Sequence, residues 1–492
     1  VAPSQDSVSS RAGSDSRARV RQIGLLLGPL WLILALLLPA PSGLPIAGWH
    51  CAGLALLMAT WWATEAIPIP ATALLPLALG PLIGIGEFQT LAHGYADDII
   101  FLFLGGFLIG LAMQRWNLHR RIALTTLRVV GSQPRRQIAG FMIATGFISM
   151  WVSNTATSVM MLPIGTSVIA LMADRDLPGV DRYATNLLLG IAYAASIGGT
   201  ATLIGTPPNA LLAGYLSSDQ GIDIGFAQWM LVGVPTALLM MAAAWAWLTR
   251  GGFEFGASDD TRRMLDHELT KLGSVSPAEK RVGLMFLLAA ALWITRPLIN
   301  DAGADFVSDA LIAMVIGVAL FIVPAGDGPS MARSNRLMSW ENEANVPWGV
   351  LLLFGGGLAL AGAIKSTGLA AWIADSMEIF AVLPMLLLIG AVALTIILLT
   401  EVSSNTATAA VFMPLLGALA ASVNVDVLLM TVPAALAASC AFMMPVATPP
   451  NAIVFASGRI TIGAMVRAGA VLNVACVVLA TLIPYAVITW VW

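Results

Sequence analysis

Two short polar triplets interrupt long apolar stretches of this 492-residue chain: Ser153-Asn154-Thr155 and Ser404-Asn405-Thr406. Each places two hydroxyls and an amide where hydrocarbon offers no partner. Each should break a helix at a depth where irregular backbone persists only if protein covers it or it lines a wet cavity. Two more segments, Gly205-Thr206-Pro207-Pro208-Asn209-Ala210 and Ala447-Thr448-Pro449-Pro450-Asn451-Ala452, break helices with paired prolines. A proline suits the first turn of a restarting helix, where no amide donor is needed. The chemistry open to these residues is the handling of ions. Restarting N-termini offer N–H groups and partial positive charge to an anion, and arriving halves end in carbonyl oxygens suited to a hard cation such as sodium. No Lys or Arg lies in the four motifs. A dianion held there therefore needs bound cations to balance its charge, which couples anion binding to cation binding.

One such triplet alone is usually glue between helices, and paired prolines alone a kink. Repetition changes that reading. Residues 103–112 match 353–362 at an offset of 250, the Ser-Asn-Thr motifs match at 251, and the Thr-Pro-Pro-Asn motifs match at 242. The first set starts from one membrane face and the second from the other. Inverted-topology repeats of this kind mark secondary transporters, with binding at the repeat interface near the midplane.

Composition sets the elements that position these motifs. Apolar residues make up 58% of the chain and charged residues 10%, well below the proportion of charge in a soluble domain. The expected fold is an all-α polytopic membrane protein of about 11 transmembrane helices plus two re-entrant hairpins in inverted-topology repeats. Spans are expected near 22–40, 46–63, 70–86, 98–115, 185–217, 229–249, 282–299, 307–324, 347–364, 428–457 and 464–490. The organisation reads as a disordered cytosolic tail over 1–20, N-terminal scaffold helices over 22–97, and a first repeat over 98–249 with an inward hairpin at 136–173. A cytosolic loop over 250–281 and scaffold helices with a loop over 282–346 follow, then a second repeat over 347–492 with an outward hairpin at 382–422. A signal peptide over 1–40 is disfavoured, because the apolar run is too long and lacks a cleavage site.

Charge orients the chain. With Arg11, Arg17, Arg19 and Arg21 inside, the inner loops also receive the basic residues of 115–136 and 250–281, with Arg175, Arg182, Arg333, Arg336 and Arg459. Only Arg296 and Lys365 fall outside, whereas Glu87, Asp97, Asp98, Asp219, Asp223, Asp301 and Asp305 all do. This positive-inside pattern implies a cell (inner) membrane protein with its N-terminus cytoplasmic and its C-terminus outside.

The chain resembles the divalent anion/sodium symporter family from about residue 44 to the C-terminus. The resemblance rests on Trp61-Trp-Ala-Thr-Glu-Ala-Ile-Pro68, both Ser-Asn-Thr triplets, both Thr-Pro-Pro-Asn segments and Trp348-Gly-Val-Leu-Leu-Leu-Phe-Gly-Gly-Gly357. It implies a homodimer in which a transport domain moves against a scaffold like an elevator. By the same resemblance Asn154, Thr155, Ser404, Asn405, Thr406, Thr448 and Pro449 contact substrate carboxylates. One sodium site uses Ser149, Ser153, Asn154 and Gly205, and the other Thr400, Ser403 (through its carbonyl), Asn405 and Ala447. The implied function is sodium symport of C4-dicarboxylates or related divalent and tricarboxylate anions, with Na+ as the coupled ion.

Remaining polar residues receive lesser roles. Glu401 lies in the second hairpin tip, where its repeat counterpart is Met150, and reads as a hydrogen-bonding support. Glu65 ends a span and reads as structural. The residues from 119 to 136 read as one amphipathic interfacial helix. The cysteines (Cys51, Cys440, Cys476) and histidines (His50, His93, His119, His267) are dispersed without metal-ligand spacing. Two alternatives stay open: a sodium-independent dicarboxylate exchanger of the same fold, and a membrane enzyme or sensor. The latter would need a nucleophile–base set, a metal cluster or a soluble domain. None is visible, and the 251–280 loop is too short for a domain. The basic residues form no block that invites nucleic acid.

Overall fold

The computed structural model describes residues 5–173, 179–256, 259–326, 335–340, 346–377 and 383–492, the side chains of 5–17, 259 and 377 excepted. Apolar runs that must satisfy their own backbone in lipid become helices, and no strand occurs among the described residues. Helices α1 (Gln5–Leu37) and α2 (Ile46–Thr64) pack as a pair. Three short helices, α3 (Ile69–Thr72), α4 (Leu75–Leu79) and α5 (Phe88–His93), lead into α6 (Asp98–Arg115). Next come α7 (Leu118–Val130), the hairpin α8 (Pro134–Ser149) and α9 (Asn154–Ala173), the broken helix α10 (Val180–Gly199) and α11 (Pro207–Tyr215), and α12 (Phe226–Thr249). Helices α13 (Asp259–Lys271), α14 (Pro277–Asp301) and α15 (Asp309–Ile322) separate this series from a second one of the same order. That series is α16 (Trp348–Ser366), α17 (Leu369–Met377), α18 (Met385–Thr400) with α19 (Asn405–Ser422), α20 (Val427–Ala438) with α21 (Pro449–Phe455), and α22 (Ile462–Trp490).

Among the described residues nine helices are long and apolar enough to cross a membrane. Helix α14 shows the lipid-facing pattern, with Leu284, Leu287 and Leu298 all exposed. In contrast, α6 crosses α15 so closely that a Cβ on Gly105 would come within 2.5 Å of the Ala313 backbone. Small residues allow such approaches where apolar lipid gives helices little reason to associate.

Four segments form local structure other than expected. Residues 70–86 form no single long helix: Pro70, Pro76 and Pro81, with Gly80 and Gly84, divide them into α3, α4 and turns. Helix α1 begins at Gln5, inside the segment expected as a disordered tail over 1–20, since a helix nucleated in the apolar run propagates outward at little cost per residue. The amphipathic segment divides at Gly131 into α7 and the first turn of α8, which begins at Pro134. The 250–281 loop holds helix α13 and the first turn of α14. Arg175, Arg333, residues 1–4 of the tail and residue 382 of the second hairpin lie outside the described residues.

The two series interlock. Helix α11 packs on α19 and α20, while α21 packs on α9 and α10. Each restarting half-helix thus docks on the hairpin and broken helix of the other series. Both cations assigned to the outer side meet carboxyl-bearing residues. Arg296 lies 3.4 Å from Asp309 and 3.5 Å from Asp223, and Lys365 donates to the Asp219 carbonyl.

Helix α7 is clamped to the 259–279 region. Arg121 forks onto Glu279 at 2.8 and 3.1 Å and also donates to the Gly273 carbonyl at 3.0 Å. Glu279 simultaneously closes a capping box with Ser276. Arg120 pairs with Glu268 at 2.7 Å, and Arg128 with Asp266 at 2.8 Å. The hydrogen bond from Lys271 and the nearby Arg120 charge hold the Glu268 carboxyl below the usual range. Arg121→Ala should leave buried Glu279 without its partner, at a cost on the order of 2 kcal/mol. The expected result is a lower unfolding midpoint and faster proteolysis within 251–276. Cleavage at the wild-type rate would show that the fork does not hold this region.

Candidate anion- and cation-binding site

The local breaks follow from residue type. Helix α9 starts where Ser153 caps it, its Oγ accepting from Ala156 N at 3.3 Å, and Ser404 caps α19 by accepting from Ala407 N at 3.5 Å. Paired prolines then set the restarts of α11 and α21 after extended Thr206 and Thr448. The unwound stretches before them are stapled by the asparagines of the same motifs. Asn209 Nδ2 donates to the carbonyls of Thr200 (3.2 Å) and Thr202 (2.8 Å). Asn451 Nδ2 donates to those of Ala441 (3.1 Å) and Met444 (3.0 Å).

These breaks enclose a cavity of about 910 Å³. All seven residues expected to contact substrate line it: Asn154, Thr155, Ser404, Asn405, Thr406, Thr448 and Pro449. Ser153, Gly205, Ser403 and Ala447, expected at the cation sites, line it too. Ser149 and Thr400 sit fully buried behind the wall, each reaching the asparagine of its own tip. Ser149 Oγ lies 2.6 Å from Asn154 Oδ1 and 2.7 Å from the Ala195 carbonyl, and Thr400 Oγ1 lies 2.6 Å from Asn405 Oδ1 and 3.0 Å from the Ala438 carbonyl. The two arrangements match atom for atom.

Each cluster gathers a hydroxyl, an amide and a main-chain carbonyl around the asparagine of its tip. The Asn154 amide faces Ser149 Oγ and the carbonyls of Ala195 (3.1 Å) and Gly205 (3.3 Å), and with its nitrogen turned toward them it donates to this group. A convergence of hydroxyl, amide and main-chain oxygens is the donor set of a hard monovalent cation. Backbone crowding shapes it further: a Cβ on Gly205 would come 2.4 Å from Gly199 O. In the second cluster the Ser403 hydroxyl is engaged by the Leu399 carbonyl and Thr408 Oγ1, both at 2.8 Å. Its main-chain carbonyl, rather than its side chain, is left for a cation.

The anion donors differ from expectation in one respect. Pro207, Pro208, Pro449 and Pro450 carry no N–H, and Thr448 Oγ1 occupies the Asn451 N–H. Helices α11 and α21 therefore contribute few backbone donors. Those available to an anion are the first N–H groups of α9 and α19, at Asn154, Thr155, Asn405 and Thr406, which have no partner within their own helices. Thr206 and Pro207, the repeat equivalents of Thr448 and Pro449, also line the cavity, as do Phe103 and Phe107 of α6. The internal repeat carried enough signal to include Thr206.

Sequence reasoning missed the rim. Arg21 of α1 and Glu65, the left-handed residue ending α2, line the cavity and pair at 3.1 Å. Both side chains are more than half exposed, so the pair is weak and easily parted. Nothing in the spacing of residues 21 and 65 announces their meeting. It depends on α1 packing beside α2.

Comparison with known proteins places this geometry. The model of the sodium:sulfate symporter transmembrane region matches residues 21–492. A sodium-dependent dicarboxylate transporter, SdcS, of Staphylococcus saprophyticus is 43% identical over 476 residues, 94% of this chain and 90% of the relative. SdcS of Staphylococcus aureus strain USA300 is 42% identical over 474 residues, 94% and 91% of the two chains. In fold alone, the chain is similar to the YdaH transporter of Alcanivorax borkumensis, with a TM-score of 0.59 at 15% identity over 89% of this chain and 99% of that one. With a helical membrane fold, paired polar breaks around one cavity and a family match running from Arg21 to the last residue, the chain belongs to the divalent anion/sodium symporter family.

Proposed function

We propose that the protein imports C4-dicarboxylates across the cell membrane by sodium symport. The observation that carries this reading is the pair of oxygen clusters, Ser149–Asn154 and Thr400–Asn405, set directly behind the two helix starts that line one cavity. Cations in those clusters would order Asn154 and Asn405 and bring positive charge to the wall that meets the anion. The names of the staphylococcal relatives, which are sodium-dependent dicarboxylate transporters, support the same substrate and ion.

The cavity opens beside Arg21 and Glu65, where the apolar part of α1 begins and α2 ends. In the positive-inside orientation that face is cytoplasmic, and the cavity is inward-open. The two helix series are inverted repeats in this reading, with α8–α9 and α18–α19 as re-entrant hairpins. The interlocked unit of α8–α11 and α18–α21 supplies both tips, whereas α1 and α2 supply the rim. Sliding the first against the second would carry the closed site across the membrane, an elevator motion. The dimer implied by family resemblance belongs to the proposal, and the mass of the purified particle checks it.

Asn154→Ala or Asn405→Ala should reduce sodium-driven succinate uptake by at least about a hundredfold, as expected when one oriented binding group is lost from a coupled site. The unfolding midpoint without ligand should stay near wild type. Normal uptake by either well-folded variant would remove these asparagines from the site. Gly205→Ala should likewise abolish sodium stimulation, because its methyl must push Gly199 away. Full stimulation would show that this backbone contact is not needed.

Val402 projects into the cavity and is largely exposed. A cysteine at 402 in a cysteine-free background should react with impermeant thiol reagents from the cytoplasmic side in this state. Sodium plus succinate should protect it, and neither alone should protect as fully. Reaction only from outside would reverse the orientation, and protection by succinate without sodium would favour the exchanger.

A further inference from the structure

We propose that Glu401 makes the two cation sites unequal, so that the site at the second hairpin tip binds sodium more tightly and fills first. The inference rests on the sodium-coupled reading above and concerns how that coupling is ordered.

The two halves tie the hairpin tip to the unwound stretch at equivalent positions but by different chemistry. In the first half the Thr202 hydroxyl donates to the Met150 carbonyl at 2.6 Å, a single neutral bond. In the second half those two positions are Met444 and Glu401. Here the Glu401 carboxylate accepts from the main-chain N–H groups of Phe442 (2.8 Å), Met443 (2.9 and 3.1 Å) and Met444 (2.9 Å), and from Asn473 Nδ2 (2.7 Å). Both oxygens face only N–H donors, the environment of a carboxylate, which accepts without donating. The side chain is 2% exposed.

Its hydrogen bonds are satisfied, but its charge is not. Every partner it has among the described residues is an amide, and none is a Lys, Arg or His. A buried charge without a countercharge is costly, and N–H dipoles offset only part of that cost. The Thr400–Asn405 cluster adjoins Glu401 along the chain. Thr400, its immediate neighbour in sequence, holds Asn405, and the Met444 N–H that binds the carboxylate belongs to the turn whose carbonyl accepts from Ala447 N at 3.2 Å. A sodium ion held by Thr400, Asn405 and the Ala447 carbonyl would neutralise Glu401 across this short link. The equivalent ion at Ser149 and Asn154 has only Met150 beside it and gains no such attraction. Glu401 is thus a positioning residue that acts on the ion through charge and on Thr448 through the turn it holds. Filling the second site first would order the start of α19 before the anion and the other ion arrive.

The test is the unfolding midpoint of the purified full-length protein titrated with sodium chloride at constant ionic strength, without substrate, because a bound ion stabilises by mass action. Four variants are compared with wild type: Glu401→Gln, Thr400→Val, Ser149→Ala and Asn473→Ala. Half-saturating sodium should rise by about tenfold in Glu401→Gln and Thr400→Val, and by less than about twofold in Ser149→Ala. Asn473→Ala removes a donor but keeps the charge. It should lower the sodium-free midpoint while leaving half-saturation within about twofold, which separates charge from packing. Equal shifts in Ser149→Ala and Thr400→Val would overturn the inference, as would a Glu401→Gln protein that is merely less stable at every sodium concentration. Should Glu401→Gln fail to fold, the comparison of Ser149→Ala with Thr400→Val decides alone. A wild-type midpoint indifferent to sodium would instead bring down the sodium-coupled reading itself.

Discussion

A helix broken inside hydrocarbon leaves N–H and C=O groups that lipid cannot satisfy, and this constraint organises the molecule. Four helical elements are broken near the cavity, and each break is covered by protein groups suited to it. Ser153 and Ser404 cap the restarting hairpin arms. Asn209 and Asn451 gather the carbonyls of the unwound stretches, and Glu401 gathers three consecutive N–H groups. The crosswise docking of α11 and α21 follows from the same need, since each short half-helix is covered by the opposite series. What remains uncovered faces the cavity, and those groups are the ones available to ions.

The cavity lining is built from neutral dipoles. Among the described residues its ion pair is Arg21 with Glu65, which sits at the rim and is net neutral, so it brings no net positive charge to the cavity. In the proposed function the oxygen clusters behind the tips carry the electrostatic logic: they would attract cations, and those cations would make the wall hospitable to a dianion. Coupling of this kind is reciprocal, since an ion that tightens the anion is tightened by it in turn. Fixed lysines in the wall would bind the anion regardless of sodium and lose that linkage.

Near-symmetry of sequence does not give equal sites. The Ser149–Asn154 and Thr400–Asn405 clusters match closely in geometry, yet one has methionine beside it and the other a buried carboxylate. The extra Ser of the second tip, Ser403 where the first tip has Val152, illustrates the same point. Ser404 is the cap that matches Ser153, while Ser403 turns its hydroxyl back onto Leu399 and Thr408.

The class of fold and the location of all four breaks were legible in the sequence, because each depends on local chemistry, whereas the cation-site residues were named only through family resemblance. Apolar length dictates helices, paired prolines dictate a restart, and a repeated Ser-Asn-Thr betrays its partner wherever the chain takes it. The sequence by itself also marked Glu401 as anomalous, through its lack of a repeat equivalent. What only the tertiary structure decided were relations between distant segments. These include the meeting of Arg21 with Glu65, the clamp from α7 to the 259–279 region, the division of 70–86 into short helices and the donors that surround Glu401. Such contacts arise from helix packing in a medium that imposes no pattern of its own on which helices meet, so spacing along the chain carries no trace of them.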